Sequence, residues 1–182
     1  MNASNLADID LLVLDVDGVM TDGRIILTPA GEEIKAFHVR DGAGMKYWRR
    51  VGKKLAIITG RGSPAVTVRA NDIGVDAYHL NALNKLPAFE EVLKSLNVSP
   101  ARTAVMGDDL PDLPLLQRCG FPVAVADAVD EVKAAAAYVT RQPGGAGAVR
   151  EVIELILKQS GLWKEVMARY MPADDNAPGR FQ

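Results

Sequence analysis

The sequence predicts an α/β fold with a doubly wound, mostly parallel, Rossmann-like sheet and helices on both of its faces. Short apolar runs alternate with segments of helical periodicity, as expected of parallel strands joined by helical crossovers. The run at residues 11–14 is apolar throughout, which is typical of a strand buried on both faces of such a sheet. Several runs lead directly into turns that contain aspartate and glycine, and open α/β sheets bind their ligands at these strand ends.

The length and composition predict one globular domain that needs neither a nucleic acid nor a membrane. The 182 residues allow a sizeable core, and we expect the domain to span residues 1–171, followed by a polar tail at residues 172–182. The net charge is −2 and no basic stripe is present, so we expect no nucleic-acid partner. No apolar run is long enough to cross a bilayer, and Asp8 and Asp10 stand where a signal peptide has lysines, so we expect a cytoplasmic protein with no membrane partner. The single cysteine, Cys119, excludes an internal disulfide and is expected to be a core residue.

The first part of the chain is expected to form two strands, two helices and a protruding hairpin. Two β-like runs on either side of Pro29 and Gly31 predict the hairpin. Asp41 is expected to cap the helix that follows it, and Ser63 followed by a proline is a typical helix start. In chain order, these elements are expected at residues 9–15 (strand), 24–28 and 33–39 (hairpin), 42–51 (helix), 54–59 (strand) and 64–73 (helix).

The second part of the chain is expected to continue the alternation. Apolar residues recur with a period of 3.6 in residues 85–96 and again in residues 148–159, which predicts two amphipathic helices. Short apolar runs bounded by Gly, Pro or Asp predict the strands between them. The remaining strands are expected at residues 77–80, 103–106, 123–126 and 137–140, and the remaining helices at residues 113–118, 129–135 and 162–171.

Acidic residues after two of the strands predict a magnesium site. Asp15 and Asp17 follow the first strand, and Asp108 follows the strand at residues 103–106. Carboxylates crowded at one edge of a sheet repel each other unless a cation or a shared proton compensates. Because Mg²⁺ prefers oxygen ligands together with a substrate phosphate, we expect the carboxylates of Asp15 and Asp108 and the backbone carbonyl of Asp17 to hold it.

The same strand ends carry the residues that phosphoryl transfer requires. We expect Asp15 to attack phosphorus and form an aspartyl phosphate. We expect Asp17 to protonate the leaving group and then to activate the hydrolytic water. The Thr59 hydroxyl is expected to bind phosphate oxygens, and Lys85 is expected to offset the negative charge around them.

Simpler structural interpretations stand beside these roles. Asp15 and Asp17 alone would also fit a turn cluster after a strand, and Lys85 alone would fit a solvated lysine at a helix start. Asp109 and Asp112 fit either a supporting role behind the metal or the first turn of a helix, where the helix dipole favours acidic residues.

The ordered set of motifs resembles the haloacid-dehalogenase-like phosphohydrolases. Their four motifs are similar to Asp15-Val16-Asp17-Gly18, Thr59-Gly60, Lys85 and Gly107-Asp108-Asp109. Longer stretches resemble the subfamily that dephosphorylates 3-deoxy-D-manno-octulosonate 8-phosphate, up to about residue 161. These stretches are residues 15–23, 37–44, 58–63, 84–85, 107–112, 122–128 and 144–151.

The resemblance implies a Mg²⁺-dependent sugar phosphatase of lipopolysaccharide-precursor synthesis that acts through an aspartyl phosphate. It further implies a catalytic domain without a cap domain, a homotetramer, and a substrate pocket shared between neighbouring subunits that the C-terminal tail reaches. A phosphatase for a nine-carbon keto-deoxy sugar acid 9-phosphate and a catalytically silent binding or assembly relative are the alternatives. Lys46 departs from the family, in which arginine is frequent at this position, and lysine lacks the fork that grips a carboxylate with two bonds.

The resemblance also places a set of side chains at substrate-contacting positions. For Arg40 and Asp41, the alternative to a substrate contact is a local ion pair between the two side chains. For His38, the alternative is a position on the surface of the hairpin. The set consists of Asp17, His38, Val39, Arg40, Asp41, Gly42, Lys46, Gly60, Arg61, Arg69 and Lys85.

Overall fold

The computed structural model describes residues 6–171, which contain one central sheet, a separate hairpin and helices on both sides of the sheet. The strands are β1 (Leu11–Leu14), β2 (Ile26–Leu27), β3 (Glu33–Ile34), β4 (Lys54–Ile58), β5 (Ala77–His79), β6 (Thr103–Gly107), β7 (Phe121–Ala124) and β8 (Tyr138–Val139). The helices are α1 (Val39–Arg50), α2 (Pro64–Ile73), α3 (Lys85–Leu96), α4 (Leu113–Leu116), α5 (Asp130–Ala135), α6 (Ala148–Gln159) and α7 (Trp163–Ala168).

The central sheet has the strand order β5-β4-β1-β6-β7-β8, and each neighbouring pair is parallel. The first strand, β1, is fully buried and lies between β4 and β6, with Val13 opposite Ala56 on one side and Val105 on the other. After β1, the chain adds β4 and then β5 on one side of it. The chain then crosses back and adds β6, β7 and β8 on the other side. The predicted doubly wound fold is therefore confirmed, and its topological switch point lies between β1 and β6.

Crossovers between parallel strands are right-handed, so crossovers that run in opposite directions along the sheet place their helices on opposite faces. The helices therefore cover both faces of the sheet. On one face α1 contacts both α2 and α6, and on the other α4 contacts both α3 and α5. The core between these layers contains Trp48 of α1, whose indole N–H donates to the carbonyl of Lys54 at 2.7 Å. This bond ties α1 to the start of β4.

The structure contains the helices and strands that the sequence predicts, and it differs from the prediction in the residues at which these elements begin and end. The helices α2, α3 and α6 have the predicted bounds. Ser63 caps α2 through its hydroxyl, as expected, and Gly74 ends that helix in the left-handed conformation. The sheet strands begin or end up to two residues from the predicted bounds, and α4 and α7 are shorter than predicted.

The prediction that Asp41 caps its own helix is wrong. The helix α1 begins at Val39 with His38 at its N-cap, so Asp41 lies inside the first turn. Its carboxylate instead accepts hydrogen bonds from the backbone N–H groups of Gly147, at 3.2 Å, and Arg150, at 2.7 Å. The N-cap of α6 is Gly147, which has no side chain to accept a hydrogen bond from the first turn. Asp41 supplies this acceptor from α1.

The predicted hairpin is present between β1 and α1, but its strands have two residues each and are shorter than the predicted arms at residues 24–28 and 33–39. Strands β2 and β3 pair with each other, with Ile26 opposite Ile34, and belong to a sheet of their own. Several large apolar side chains of the hairpin are exposed, among them Leu27, which is 61% accessible. Between residues 6 and 171 no insertion large enough for a cap domain is present, since the hairpin and helices fill the connections.

Two remaining predictions concern the ends of the chain and the membrane. The polar tail expected at residues 172–182, and its expected reach to a neighbouring site, lie outside the described residues. Within residues 6–171 there is no helix with the length and apolar character needed to span a bilayer.

Candidate active site

A cleft of about 320 Å³ opens at the carboxyl ends of β1, β4 and β6, at the switch point of the sheet. It brings together residues from the loops after these strands and from the start of α3. The lining residues are Asp15, Asp17, Gly23, Thr59, Gly60, Arg61, Leu83, Lys85, Asp108, Asp109, Pro111 and Asp112. All four predicted catalytic residues, and Asp108 of the predicted metal set, thus share one cleft.

Lys85 links two carboxylates at the floor of the cleft. It is the first residue of α3, whose start is fixed by the Asn84 side chain. Its ammonium group lies 2.8 Å from Asp15 Oδ1 and 2.6 Å from Asp112 Oδ1, and its side chain is only 5% exposed. Burial alone would lower the pKa of Lys85, but the two carboxylates outweigh burial and raise it. Lys85 therefore carries its positive charge next to the predicted nucleophile.

Asp108 approaches the first aspartate pair from β6. A side chain at Gly18 would overlap the Asp108 carboxylate, and Gly18 also has a positive φ of 84°, so both the close approach and the backbone conformation require glycine there. Asp108 Oδ1 is buried and has no hydrogen-bond partner among the described residues. Burial, with the repulsion of Asp15 and Asp112, raises the pKa of Asp108 to about 8.

Asp15 has a similar electrostatic environment. Burial, together with the negative charge of Asp112, raises the pKa of Asp15 to about 6, even though Lys85 pulls it down. The carboxylate groups of Asp15, Asp108 and Asp112 each offer an oxygen within 4.8 Å of the others. Such a group of acids is stable in its charged form only when further positive charge is supplied. The donor set is all oxygen, which fits Mg²⁺.

Asp109 and Asp112 form a reciprocal capping box, so both fit the helix-start interpretation, and the supporting role behind the metal stays a prediction. The buried Asp112 carboxylate accepts from the backbone N–H groups of Asp108, at 3.1 Å, and Asp109, at 3.4 Å, while its other oxygen binds Lys85. It thus holds the loop that carries Asp108. Asp109 instead caps the 3₁₀ turn Leu110–Asp112, accepting from the Leu110 N–H at 2.8 Å.

The loop after β4 places the predicted phosphate-binding residue Thr59 at the cleft. Thr59 is buried, and its backbone is fixed on both sides by hydrogen bonds to His79 and Ala82. Its hydroxyl oxygen accepts from the Arg61 N–H at 3.3 Å. The loop therefore presents Gly60 and Arg61 at the cleft wall, next to the hydroxyl.

Lys35 reaches the cleft from the hairpin, and the sequence analysis missed it. Its ammonium group donates to Asp17 Oδ1 and, at 3.2 Å, to Glu33 Oε1. Arg61 completes the group, lying 3.1 Å from Glu33 Oε1 and 3.8 Å from Asp17 Oδ2. We call these four residues the hairpin cluster. No periodicity in the sequence predicts Lys35, because it directly follows β3, a strand of only two residues.

Four of the predicted substrate-binding residues line a second pocket of about 510 Å³. The pocket is lined by Phe37, Val39, Gly42, Ala43, Lys46 and Arg69. Asp72 holds two of these cations, with its oxygens 3.0 Å from Lys46 Nζ and 2.9 Å from an Arg69 nitrogen. Arg69 Nε is buried without a hydrogen-bond partner among residues 6–171, and the guanidinium lies 5.6 Å from the Phe37 ring centre. The pocket thus offers positive charge beside an aromatic face.

The other three predicted substrate residues lie on neither pocket wall. Arg40 lines a third cavity of about 680 Å³ together with residues of α6. His38 is half-buried, with Nδ1 3.7 Å from Asp41 Oδ2. The Asp41 side chain is 2% exposed and accepts hydrogen bonds from the backbone at the start of α6.

Cys119 is not near this chemistry. Burial raises the pKa of its thiol to about 12, and the side chain packs against the core. Cys119 is thus a partly buried residue at the edge of the core, rather than the core residue that the sequence predicted.

Comparison with known proteins adds independent information on the site. Residues 79–153 match the model of the haloacid dehalogenase-like hydrolase family. The chain is 46% identical over 154 residues to a 3-deoxy-D-manno-octulosonate 8-phosphate phosphatase from Escherichia coli K12, a match that covers 85% of this chain and 82% of that protein.

Solved structures of such phosphatases are similar to the chain over most of its length. The enzyme from Moraxella catarrhalis, in complex with a magnesium ion, a phosphate ion and a KDO molecule, has a TM-score of 0.89 and 39% identity, covering 92% of this chain and 96% of that one. The cobalt-bound form of the Haemophilus influenzae enzyme has a TM-score of 0.84 and 41% identity, covering 86% and 92%.

Proposed function

The chain belongs to the 3-deoxy-D-manno-octulosonate 8-phosphate phosphatases of the haloacid dehalogenase-like hydrolases, and we propose that it hydrolyses this ester to the free sugar acid and phosphate. The family confirms the resemblance that the motifs predicted. The reaction removes a phosphate from an acidic keto-sugar, a step in making lipopolysaccharide precursors. The observation that carries the proposal is the cleft, where Asp15, Lys85 and the unpartnered Asp108 oxygen meet.

The first half of the reaction forms a covalent phosphoenzyme. An oxygen of Asp15 attacks phosphorus, and the bond between phosphorus and the sugar oxygen breaks. Asp17 gives its proton to the departing sugar oxygen, so the sugar leaves as an alcohol. Lys85 and the loop at Thr59 and Gly60 hold the transferred phosphoryl group in place and offset its charge.

The second half regenerates the carboxylate. Asp17, now deprotonated, takes a proton from water as the water oxygen attacks the phosphorus of the aspartyl phosphate. The bond between phosphorus and Asp15 breaks, and inorganic phosphate leaves. The net result is one ester bond and one water consumed, with one alcohol and one phosphate formed.

Mg²⁺ fits the donor set of the cleft. We propose that the carboxylates of Asp15 and Asp108 and the backbone carbonyl of Asp17 hold it, with Asp112 fixing the Asp108 loop. When bound, the ion neutralises negative charge between the carboxylates and the phosphate. The buried, unpartnered oxygen of Asp108 supports this assignment.

The second pocket supports a substrate site shared between subunits of a homotetramer. Lys46 and Arg69 supply positive charge for a sugar carboxylate, but they line a pocket separate from the catalytic cleft of the same chain. We propose that these residues, with His38, Val39, Arg40, Asp41 and Gly42, form the part of the chain that approaches a neighbour's cleft. The exposed apolar side chains of the hairpin suit such a subunit contact. We also propose a cytoplasmic location, with which the free thiol of Cys119 agrees.

A phosphate-release assay over a panel of sugar phosphates tests the proposed function. The panel contains 3-deoxy-D-manno-octulosonate 8-phosphate, a nine-carbon keto-deoxy sugar acid 9-phosphate and simple hexose phosphates, each with Mg²⁺ and with EDTA. We expect the highest kcat/KM on the eight-carbon ester, no turnover in EDTA, and no turnover by Asp15→Asn. A higher kcat/KM on the nine-carbon ester would replace the proposed substrate, and no release from any ester would support a silent relative.

A further inference from the structure

Lys35 is buried to a degree that is unusual for a lysine. Its side chain, including the ammonium group, is 1% exposed, although the large apolar side chains of the hairpin are exposed. A lysine is almost never fully buried unless it is paired. Here the partners are Asp17 and Glu33, whose side chains are 22% and 12% exposed.

The hairpin cluster joins three segments of the chain around Asp17. Asp17 belongs to the loop after β1, Glu33 and Lys35 belong to the hairpin, and Arg61 belongs to the loop after β4. Acidic and basic side chains alternate in the cluster, since Lys35 and Arg61 each contact both Asp17 and Glu33. Arg61 is half exposed, which makes the buried Lys35 the stronger anchor of Asp17.

The two oxygens of Asp17 have different surroundings. Oδ1 accepts the hydrogen bond from Lys35, whereas Oδ2 is buried and has no hydrogen-bond partner among the described residues. Arg61 also approaches Oδ2, but its Nε lies 3.8 Å away, outside hydrogen-bond distance. The bond from Lys35 therefore fixes the orientation of the carboxylate and leaves Oδ2 without a hydrogen bond of its own. A catalytic acid gains much of its effect from such positioning.

We propose that Lys35 is a positioning residue, which holds Asp17 by Oδ1 so that Oδ2 delivers the proton to the leaving group and later takes one from water. The proposal rests on the proposed function, because it assumes that Asp17 is the acid and base of phosphate ester hydrolysis. It assigns the hairpin a part in catalysis within its own chain, in addition to any contact between subunits.

The test measures how the reaction depends on the leaving group. The purified full-length enzyme with Mg²⁺ is given a series of substituted phenyl phosphates of similar size, and log kcat/KM is plotted against leaving-group pKa. A poor leaving group needs the proton most, so loss of proton delivery steepens the plot. We expect Lys35→Met to steepen it as Asp17→Asn does, and to lower kcat/KM on the sugar ester by about 10- to 100-fold. Lys35→Arg, which keeps the charge and the donor, should restore part of the wild-type slope.

The matched control is Lys53→Met. Lys53 is also a buried lysine, 7% exposed and 3.5 Å from Asp10 Oδ1, but it lies away from the cleft. Lys53→Met should keep the wild-type slope even if its free energy of unfolding is lower than that of the wild type. Lys35→Gln provides the second variant, so that the test stands if Lys35→Met does not fold.

The outcomes separate this proposal from the proposed function. Parallel loss of kcat/KM across the whole series, or an unchanged slope in folded Lys35 variants beside a steep slope in Asp17→Asn, would overturn the role of Lys35 and leave the phosphatase intact. An unchanged slope in Asp17→Asn would overturn both Asp17 as the acid and Lys35 as its positioning residue. No release of phosphate by the wild type would overturn the proposed function itself.

Discussion

The carboxyl groups of Asp15 and Asp108 have raised pKa values, about 6 and about 8, mainly because they are buried. A raised pKa means that the folded protein binds the proton more tightly than the unfolded chain does. The stability that these groups contribute is therefore greatest at low pH and falls as the pH rises from the ordinary value of 3.8 toward 8. A cation that binds the charged carboxylates reverses this loss.

We predict that Mg²⁺ stabilises the protein more at high pH than at low pH. Thermal unfolding at about pH 5 and about pH 8, each with Mg²⁺ and with EDTA, measures the shift in Tm. The shift should be larger at the higher pH, and Asp108→Asn should reduce both the shift and its dependence on pH. A shift in Tm that is equal at both pH values would contradict the assignment of these acids to the cation site.

The sequence predicts the site residues that lie at the ends of elements of the parallel sheet, but not the one that comes from the hairpin. Asp15, Asp17, Lys85 and Asp108 follow from their positions at strand and helix ends, since the ends of neighbouring parallel strands meet. Lys35 does not, because its burial depends on where a hairpin outside the sheet folds back, and no periodicity within the chain encodes that.

At the scale of elements, the start of α6 depends on a side chain from α1. Asp41 accepts from two backbone N–H groups there, and burial raises the pKa of its carboxyl group above the ordinary value. The sequence shows an acidic residue at a helix start, which is a good signal for a cap. It does not show which helix is capped, because that depends on how α1 and α6 pack.

We predict that Asp41→Ala lowers the free energy of unfolding by about 1–2 kcal/mol, because the N–H groups at the start of α6 lose their acceptor. Urea denaturation followed by circular dichroism gives the value. Asp41→Asn keeps one acceptor oxygen and should lose less. Asp130→Ala, in the exposed first turn of α5, is the control and should change stability by no more than about 0.5 kcal/mol. Equal losses for Asp41→Ala and Asp130→Ala would show that the capping bonds add nothing.

At the scale of the whole molecule, the sequence predicts a doubly wound parallel sheet, but it does not predict the strand order or the symmetry of the assembly. Alternating elements and right-handed crossovers leave few arrangements, and the observed order is one of them. The exposed apolar hairpin suits the subunit contact proposed above, but the partner and symmetry of such a contact depend on surfaces that no pattern in one sequence defines.

We predict that the hairpin holds subunits together. Leu27→Asp places a charge on the exposed apolar face and should convert the expected tetramer into smaller species in sedimentation velocity. Because the sugar pocket is proposed to be shared, the variant should lose more kcat/KM on the sugar ester than on a phenyl phosphate. Val139→Asp, at an exposed apolar residue of β8, is the control. An unchanged sedimentation coefficient for Leu27→Asp would remove the hairpin from the interface.

The central claim is that Asp15 itself receives the phosphoryl group, and trapping the covalent intermediate tests it most directly. The enzyme is mixed with Mg²⁺ and the eight-carbon sugar phosphate, quenched in acid within one turnover and digested, and the peptides are analysed by mass spectrometry. We expect the mass of one phosphoryl group on the peptide that contains Asp15, and its absence in Asp15→Asn. Phosphate release without this adduct, or an adduct on another residue, would contradict the account.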